Sequence, residues 1–219
     1  MMRKGSARVT DVRTWATSIG NSYSEVWKRR IDLIASIPLA ILMLLPMIVI
    51  AILIRLDSPG NPLFLQKRVG KDGYEFTMWK FRTMVANENT KLEMIRDHDG
   101  IYRHKVRNDP RVTPFGRFLR KSSLDELPQL FNVALGHMSL VGPRPELPQI
   151  VNSYEPWQHQ RHSVRPGITG WWQVSRRSDV PMHELTELDI YYVEHLSPKL
   201  DLEIMVKTVV GVVRGVGAY

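Results

Sequence analysis

Residues 33–54 read LIASIPLAILMLLPMIVIAILI, a run of 22 positions without a charged side chain. A helix rises about 1.5 Å per residue, and a bilayer hydrocarbon core of roughly 30 Å takes about 20 apolar residues to cross. The run is long enough for a membrane segment and long for a buried helix of a soluble domain. A secretory signal fits poorly, because 32 residues precede the run and no small-x-small cleavage site follows it. Pro38 and Pro46 fall inside it. Each removes a backbone donor and bends a helix. Lys28, Arg29 and Arg30 flank one end, and Arg55, Lys67 and Arg68 follow the other. Lys and Arg favour the cytoplasmic side, and here they sit on both sides. Two geometries stay open: a re-entrant helix that breaks near Pro46 and returns to the same face, or a single kinked span. Asp32 is spaced to pair with Lys28 or Arg29.

Working outward, the 219 residues suffice for one domain with its own core. The expected organisation is a tail over 1–26, a membrane-embedded helix over 27–56 and a compact domain over 57–219. The fold class expected is α+β, mostly helical. Asp57 to Pro62 is a turn-rich exit. Leu63–Gln66 and Tyr74–Trp79, on either side of Gly70-Lys71-Asp72-Gly73, predict a β-hairpin. The charged stretch 86–109 reads as a surface helix and loop, Ser122–Leu135 as a helix, and 146–163 as an amphipathic helix carrying Trp157. Residues 198–214 place Leu200, Ile204, Met205, Val209, Val212 and Val213 at helical spacing. A helix of this kind packs on a core or lies in a membrane interface.

The net charge of +8 and sequence pI of about 9.8 call for an anionic partner: nucleic acid, a membrane surface or a phosphate-bearing substrate. The absence of cysteine excludes disulfides, thiolate-bound zinc and thiol catalysis. No P-loop, dinucleotide fingerprint or zincin motif occurs. His159 and His162 lack an acidic or cysteine partner and read as solvated surface histidines. The strongest local feature is Ser122-Ser123-Leu124-Asp125-Glu126-Leu127-Pro128-Gln129-Leu130. Ser123 and Glu126 have capping-box spacing, so a plain helix start accounts for the pair of acids. The neighbourhood offers a second reading. Arg107, Arg111, Arg117, Arg120 and Lys121 precede the stretch, and Gly142-Pro143-Arg144-Pro145 fixes an arginine between two prolines. Adjacent carboxylates among arginines suit a phosphate site, in which the acids hold a cation or one of them attacks phosphorus.

Four strings in order resemble the bacterial sugar transferase family. They are Lys80-Phe81-Arg82-Thr83-Met84, Ser123 to Leu130, Val141-Gly142-Pro143-Arg144-Pro145 and Arg165-Pro166-Gly167-Ile168-Thr169-Gly170. The likeness runs from about Trp27 to Tyr219 and includes Asn108-Asp109-Pro110-Arg111, Leu188 to Val193 and the closing Gly217-Ala218-Tyr219. It is to the short form of the monotopic polyprenyl-phosphate phosphoglycosyl transferases, without the four extra N-terminal spans of some members. The resemblance implies a re-entrant membrane helix joined to a cytosolic catalytic domain at the bacterial inner membrane. It implies a Mg²⁺-dependent transfer of sugar-1-phosphate from a UDP-sugar to polyprenyl (undecaprenyl) phosphate, with release of UMP, at the start of capsule, exopolysaccharide or lipopolysaccharide assembly. Asp125 matches the family's nucleophile and Glu126 its partner, both being candidate metal ligands. Lys80, Arg82, Arg120, Arg144 and Arg177 become candidate phosphate ligands.

Two positions depart from the family pattern: Leu45 stands before Pro46 where a serine is common, and His137 stands in Gly136-His137-Met138-Ser139 where an acid is common. Two other readings carry less of the sequence. A membrane-tethered basic protein that binds nucleic acid leaves the Asp-Glu pair unexplained and shows no helix-turn-helix or finger pattern, so no nucleic-acid partner is expected. An inactive scaffold conflicts with the retention of both acids. The sugar, the polymer and a homo-oligomeric state are not specified by the sequence.

Overall fold

The computed structural model describes residues 25–85, 95–96, 102–103, 109–175 and 185–214. Helix α1 (Glu25–Leu42) runs through Pro38 without ending, and α2 (Leu44–Asp57) follows after Met43 alone. The two are bent by 56°. The break thus lies at Met43, upstream of Pro46. Helix bonding explains the offset: Pro46 has no N–H for the carbonyl four residues back, on Leu42, and its ring crowds that carbonyl. Neither helix alone is long and apolar enough to cross a membrane, whereas the bent pair has the length and composition together.

Both outer ends of this pair are tied to the rest of the chain. Lys28 Nζ donates to Asp201 Oδ2 at 2.6 Å, and Arg29 donates to the carbonyls of Val133 and Ala134. Asp32 is buried and accepts from the Leu140 N–H at 3.1 Å. Tertiary bonds therefore replace the intrahelical pairing expected among these side chains. At the far end, Arg82 is buried with its guanidinium on the carbonyls of Ile54, Ser58 and Pro59, where it satisfies the last turn of α2. Around the bend, Ile41, Leu42, Leu44 and Leu45 are 69%, 68%, 49% and 70% exposed. A contiguous apolar apex of this kind marks an interaction surface.

Strands β1 (Leu63–Val69) and β2 (Glu75–Phe81) form the expected hairpin, antiparallel, with Leu63 opposite Phe81 and Val69 opposite Glu75. Strands β3 (Ile95–Arg96) and β4 (Tyr102–Arg103) pair antiparallel, and most of the charged 86–109 stretch lies outside the described residues. Helix α3 (Pro114–Ser122) starts where Thr113 Oγ1 accepts from the Gly116 N–H at 2.9 Å, with Pro114 pre-set in its first turn. Gly116 has to be glycine, since a Cβ there would lie 2.2 Å from the Thr83 carbonyl oxygen.

The single helix expected over Ser122–Leu135 does not form. Ser123 adopts the left-handed conformation (φ 58°), a 3₁₀ turn covers Leu124–Glu126, and α4 (Gln129–Ala134) is separate. Pro128 has no N–H for the Leu124 carbonyl, so one ladder cannot run through. Ser123 makes no side-chain capping bond, and the capping box with Glu126 is absent.

β5 (Ser139–Val141) pairs in parallel with β6 (Gly167–Thr169). Between them lie α5 (Pro148–Val151) and a 3₁₀ segment, Pro156–Ser163, in place of the one amphipathic helix expected over 146–163. Pro148 and Pro156 each open a new first turn, which divides the stretch. Helices α6 (Trp171–Ser175), α7 (Thr186–Glu194) and α8 (Pro198–Val213) close the chain. Ser197 caps α8 by accepting from the Leu200 N–H, and Leu200 and Ile204 pack with Tyr192, Val193 and Val164.

The outer edge of β2 is completed by a side chain. Asn132, fully buried on α4, donates to the Thr77 carbonyl at 2.8 Å and accepts from the Trp79 N–H at 2.9 Å. The amide thus acts as a one-residue strand and locks α4 to β2. Replacing it by leucine (Asn132→Leu) strands both backbone groups. The expected cost is about 2–4 kcal/mol, read as a fall of roughly 5–15 °C in Tm by thermal unfolding in detergent.

Candidate active site

The 3₁₀ turn that holds the two acids is fixed by the leucines on either side of them. Leu124 and Leu127 pack with Met47, Ile50 and Ile54 of α2, Phe81 of β2 and Leu119 of α3. With both leucines inward, Asp125 and Glu126 are left half-buried on the opposite side. Glu126 Oε1 accepts from Lys80 Nζ at 2.8 Å and from Arg144 Nη2 at 3.0 Å. Three segments distant in sequence therefore converge on one oxygen. Lys80 comes from β2, on the face shared with Met78 and Phe76; Arg144 comes from the loop after β5.

Asp125 is different. No described residue donates a hydrogen bond to it, and it lies in the field of Lys80, Arg144 and Arg120. Arg120 is held by a bond from Nε to Thr83 Oγ1 at 2.9 Å. Burial, then the neighbouring Glu126 carboxylate, push the Asp125 pKa up to about 6 against the pull of those cations. For Glu126, burial acts upward, but Lys80 and Arg144 outweigh it by charge and hydrogen bond and hold the pKa at about 2. Burial in turn lowers the Lys80 pKa. The adjacent carboxyls are thus driven apart, one a fixed anion and one able to exchange its proton near neutrality.

Of the residues anticipated, Asp125, Glu126, Lys80, Arg120 and Arg144 are brought together. Arg82 is not among them: its guanidinium belongs to the end of α2, which corrects its reading as a phosphate ligand. Arg177 lies outside the described residues. His137 is exposed and rests on Phe76, with ring centroids 5.9 Å apart, away from the acids. His162 is buried rather than solvated; it stacks on Tyr154, and burial pushes its pKa down to about 3.

Residues that the sequence did not single out support the site. Arg68 stands opposite Phe76 on β1, on the face that carries Lys80, and donates to Gln66 Oε1 at 2.7 Å and to the Pro145 carbonyl at 3.1 Å. Asn132 sets α4 against β2. Gly142 opens the loop: a Cβ there would lie 2.4 Å from the Arg165 carbonyl oxygen, so only glycine lets β5 and β6 approach. For Arg68, strand alternation with Lys80 was the available signal. Nothing local marked Asn132.

Among the described residues, no three His, Asp or Glu side chains converge into a protein-only cation cage. A Mg²⁺ ion shared with substrate phosphates needs only one or two carboxylates. Asp125, which accepts no hydrogen bond, and Glu126 Oε2, which lies opposite the occupied Oε1, make a donor set of that kind.

A raised carboxyl pKa means that the folded state holds the proton more tightly than the unfolded chain. Asp125 therefore favours folding at low pH, and that contribution is lost as pH rises from about 4 through about 6. Above that window the ionised carboxylate is a burden on the fold. In EDTA, Asp125→Asn is expected to raise Tm relative to the wild type at about pH 8, with the gain shrinking as pH falls from about 6 to about 4. Parallel melts across pH give the difference; a gain independent of pH would contradict the assignment.

Residues 23–215 match the family described as bacterial sugar transferase. A UDP-galactose-lipid carrier transferase of Erwinia amylovora is 40% identical over 210 residues, covering 93% of this chain and 44% of that protein. A UDP-glucose:undecaprenyl-phosphate glucose-1-phosphate transferase of Xanthomonas campestris pv. campestris is 41% identical, covering 98% of this chain and 44% of that protein. The exopolysaccharide production protein ExoY of Sinorhizobium fredii is 37% identical, covering 88% of each. The chain spans less than half the length of the first two relatives and most of the third.

Proposed function

The chain belongs to the bacterial sugar transferase family, and we propose that it moves a sugar-1-phosphate from a UDP-sugar to undecaprenyl or another polyprenyl phosphate. The observation that carries this reading is the division of labour in the acid pair: Glu126 is tied down by Lys80 and Arg144, while Asp125 stands beside them without a hydrogen-bond donor. A carboxylate that is to form a bond to phosphorus has to be free of such donors at that oxygen.

Asp125 attacks the β-phosphorus of the UDP-sugar. The bond from that phosphorus to the oxygen bridging the α-phosphate breaks, and UMP leaves with the electron pair. A sugar phosphate remains esterified to the Asp125 carboxyl. A polyprenyl-phosphate oxygen then attacks the same phosphorus, the carboxylate departs, and the lipid carries a sugar diphosphate. Arg144, Lys80 and Arg120 offset the charge that builds on the phosphoryl oxygens, which is most of what phosphoryl transfer asks of a protein. Mg²⁺, bound through Asp125 or Glu126 Oε2 and the substrate phosphates, would neutralise the diphosphate. Loss of the Asp125 proton, favoured above about pH 6, sets the reactive form.

One substrate is soluble and the other lies in lipid, so the site has to stand at a membrane surface. We place the α1–α2 pair in the inner membrane as a re-entrant element. Both of its outer ends are bound to one folded domain, through Lys28 and Arg29 at one end and Arg82 at the other. The exposed apolar apex around Leu45 then enters the lipid, and the catalytic domain stays on the cytosolic face.

Purified protein with undecaprenyl phosphate, Mg²⁺ and a panel of UDP-sugars should release UMP with at least one donor. Asp125→Asn should abolish release, and full release by that variant would remove Asp125 as nucleophile. Topology has its own test, because the chain contains no cysteine. Single substitutions Val26→Cys and Tyr74→Cys should react with an impermeant maleimide from the same membrane face, and Leu45→Cys from neither. Labelling of Val26→Cys and Tyr74→Cys from opposite faces would establish a single span.

A further inference from the structure

The loop that presents Arg144 is short of donors, because Pro143 and Pro145 have no N–H. It has to be held through its carbonyls, and two arginines from separate elements do this. Arg161 Nη2 donates to the Arg144 carbonyl at 2.7 Å, and Arg68 Nη1 donates to the Pro145 carbonyl at 3.1 Å. Arg161 is the more deeply placed, with 1% of its side chain exposed. The same Nη2 lies 2.5 Å from Asp189 Oδ2 on α7, also 1% exposed, and Nη1 donates to Tyr154 Oη at 2.5 Å.

A buried ion pair is a poor device for stability alone, since taking two charges out of water costs much of what their attraction returns. What this pair supplies is geometry. The planar guanidinium, held by Asp189 and Tyr154, also donates to the backbone carbonyl of Arg144 itself. A shift of about 1 Å in a phosphate-holding group can lower a rate by about 100-fold.

We propose that Arg161, held by Asp189, is a positioning residue that sets where Arg144 presents its guanidinium to the substrate phosphate. The proposal rests on the reading of Arg144 as a phosphate ligand given above.

Replacing Arg161 alone leaves Asp189 buried without its partner, so Arg161→Met is expected to lower Tm sharply. The double change Arg161→Met/Asp189→Leu removes both charges and is expected to recover Tm. A residue that only holds the fold together would regain transfer along with Tm, and that result overturns the proposal. A positioning residue leaves kcat/KM for the UDP-sugar at least about ten-fold down in the refolded double variant. In an Arg144→Gln background the same pair of changes should then cost less than about two-fold, because the effect passes through Arg144; a full ten-fold cost there overturns it.

A readout that needs no turnover separates this inference from the proposed activity. The ¹⁵N relaxation of the Arg144 Nε–H should report an ordered side chain in the wild type and a mobile one in the double variant. Equal order in both overturns the positioning role even in a protein that transfers no sugar. Arg161→Lys, which keeps a cation beside Asp189 but loses the planar fork, serves the same comparison if the double variant does not fold. An Arg144 as ordered there as in the wild type counts against the proposal.

Discussion

The Glu126 carboxylate is the knot of this structure. Its Oε1 gathers Lys80 from the hairpin and Arg144 from the loop after β5, 46 and 18 residues away in sequence. Without that anion, two half-buried cations would face each other and the Asp125 carboxyl in a poorly solvated corner. With it, the site is electrostatically settled at one oxygen and left open at its neighbour. The two acids look alike in sequence and are made different by what reaches them: a double donor for one, none for the other. That asymmetry follows from the backbone. Leu124 and Leu127 are drawn into the core against α2, and the short turn between them has only one way to face the acids outward.

The same cluster binds the acid pair to the apolar helices. Met47, Ile50 and Ile54 of α2 share a core with Leu119, Phe81 and the leucines of the acid turn, so the floor of the site is the inner face of the apolar helix pair. The opposite face of that pair is exposed and apolar. One helix thus serves two solvents, packing protein on one side and offering hydrocarbon-compatible surface on the other. The distance of the Asp125 carboxylate from that apolar surface is thus fixed by side-chain packing rather than by a flexible tether.

Much of this was legible in the sequence, and the misreadings have a common physical source. The apolar run, the hairpin and the C-terminal helix announce themselves by composition and period. Asp125, Glu126, Lys80, Arg120 and Arg144 could be named because motif order pointed to them. The failures cluster at prolines and at long-range bonds. Pro128 and Pro156 each divide a stretch that hydrophobic spacing alone reads as one helix, and Pro46 moves the break of the apolar helix a turn upstream to Met43. Arg82 sits in a motif with Lys80, yet β2 ends at Phe81 and strand alternation no longer sets where Arg82 points; Lys80 reaches the acids and Arg82 the end of α2. Asn132, Arg68 and Arg161 act through partners 17 to 77 residues away, and no local pattern encodes such contacts.

The arrangement also explains why the site is built from buried, costly groups. Lys80, Arg120 and Arg144 outnumber the acids they face, and burial works against the charged form of both Lys80 and Arg120. Such a corner is incomplete by itself, since its excess positive charge is balanced only when an anion arrives. On the proposed function, an arriving diphosphate would balance that charge, and the groups that would meet it are already in place. Asp125 belongs to the same logic. Burial and the Glu126 carboxylate hold its proton against the pull of three cations, which leaves one fixed anion beside one group able to exchange its proton near neutrality.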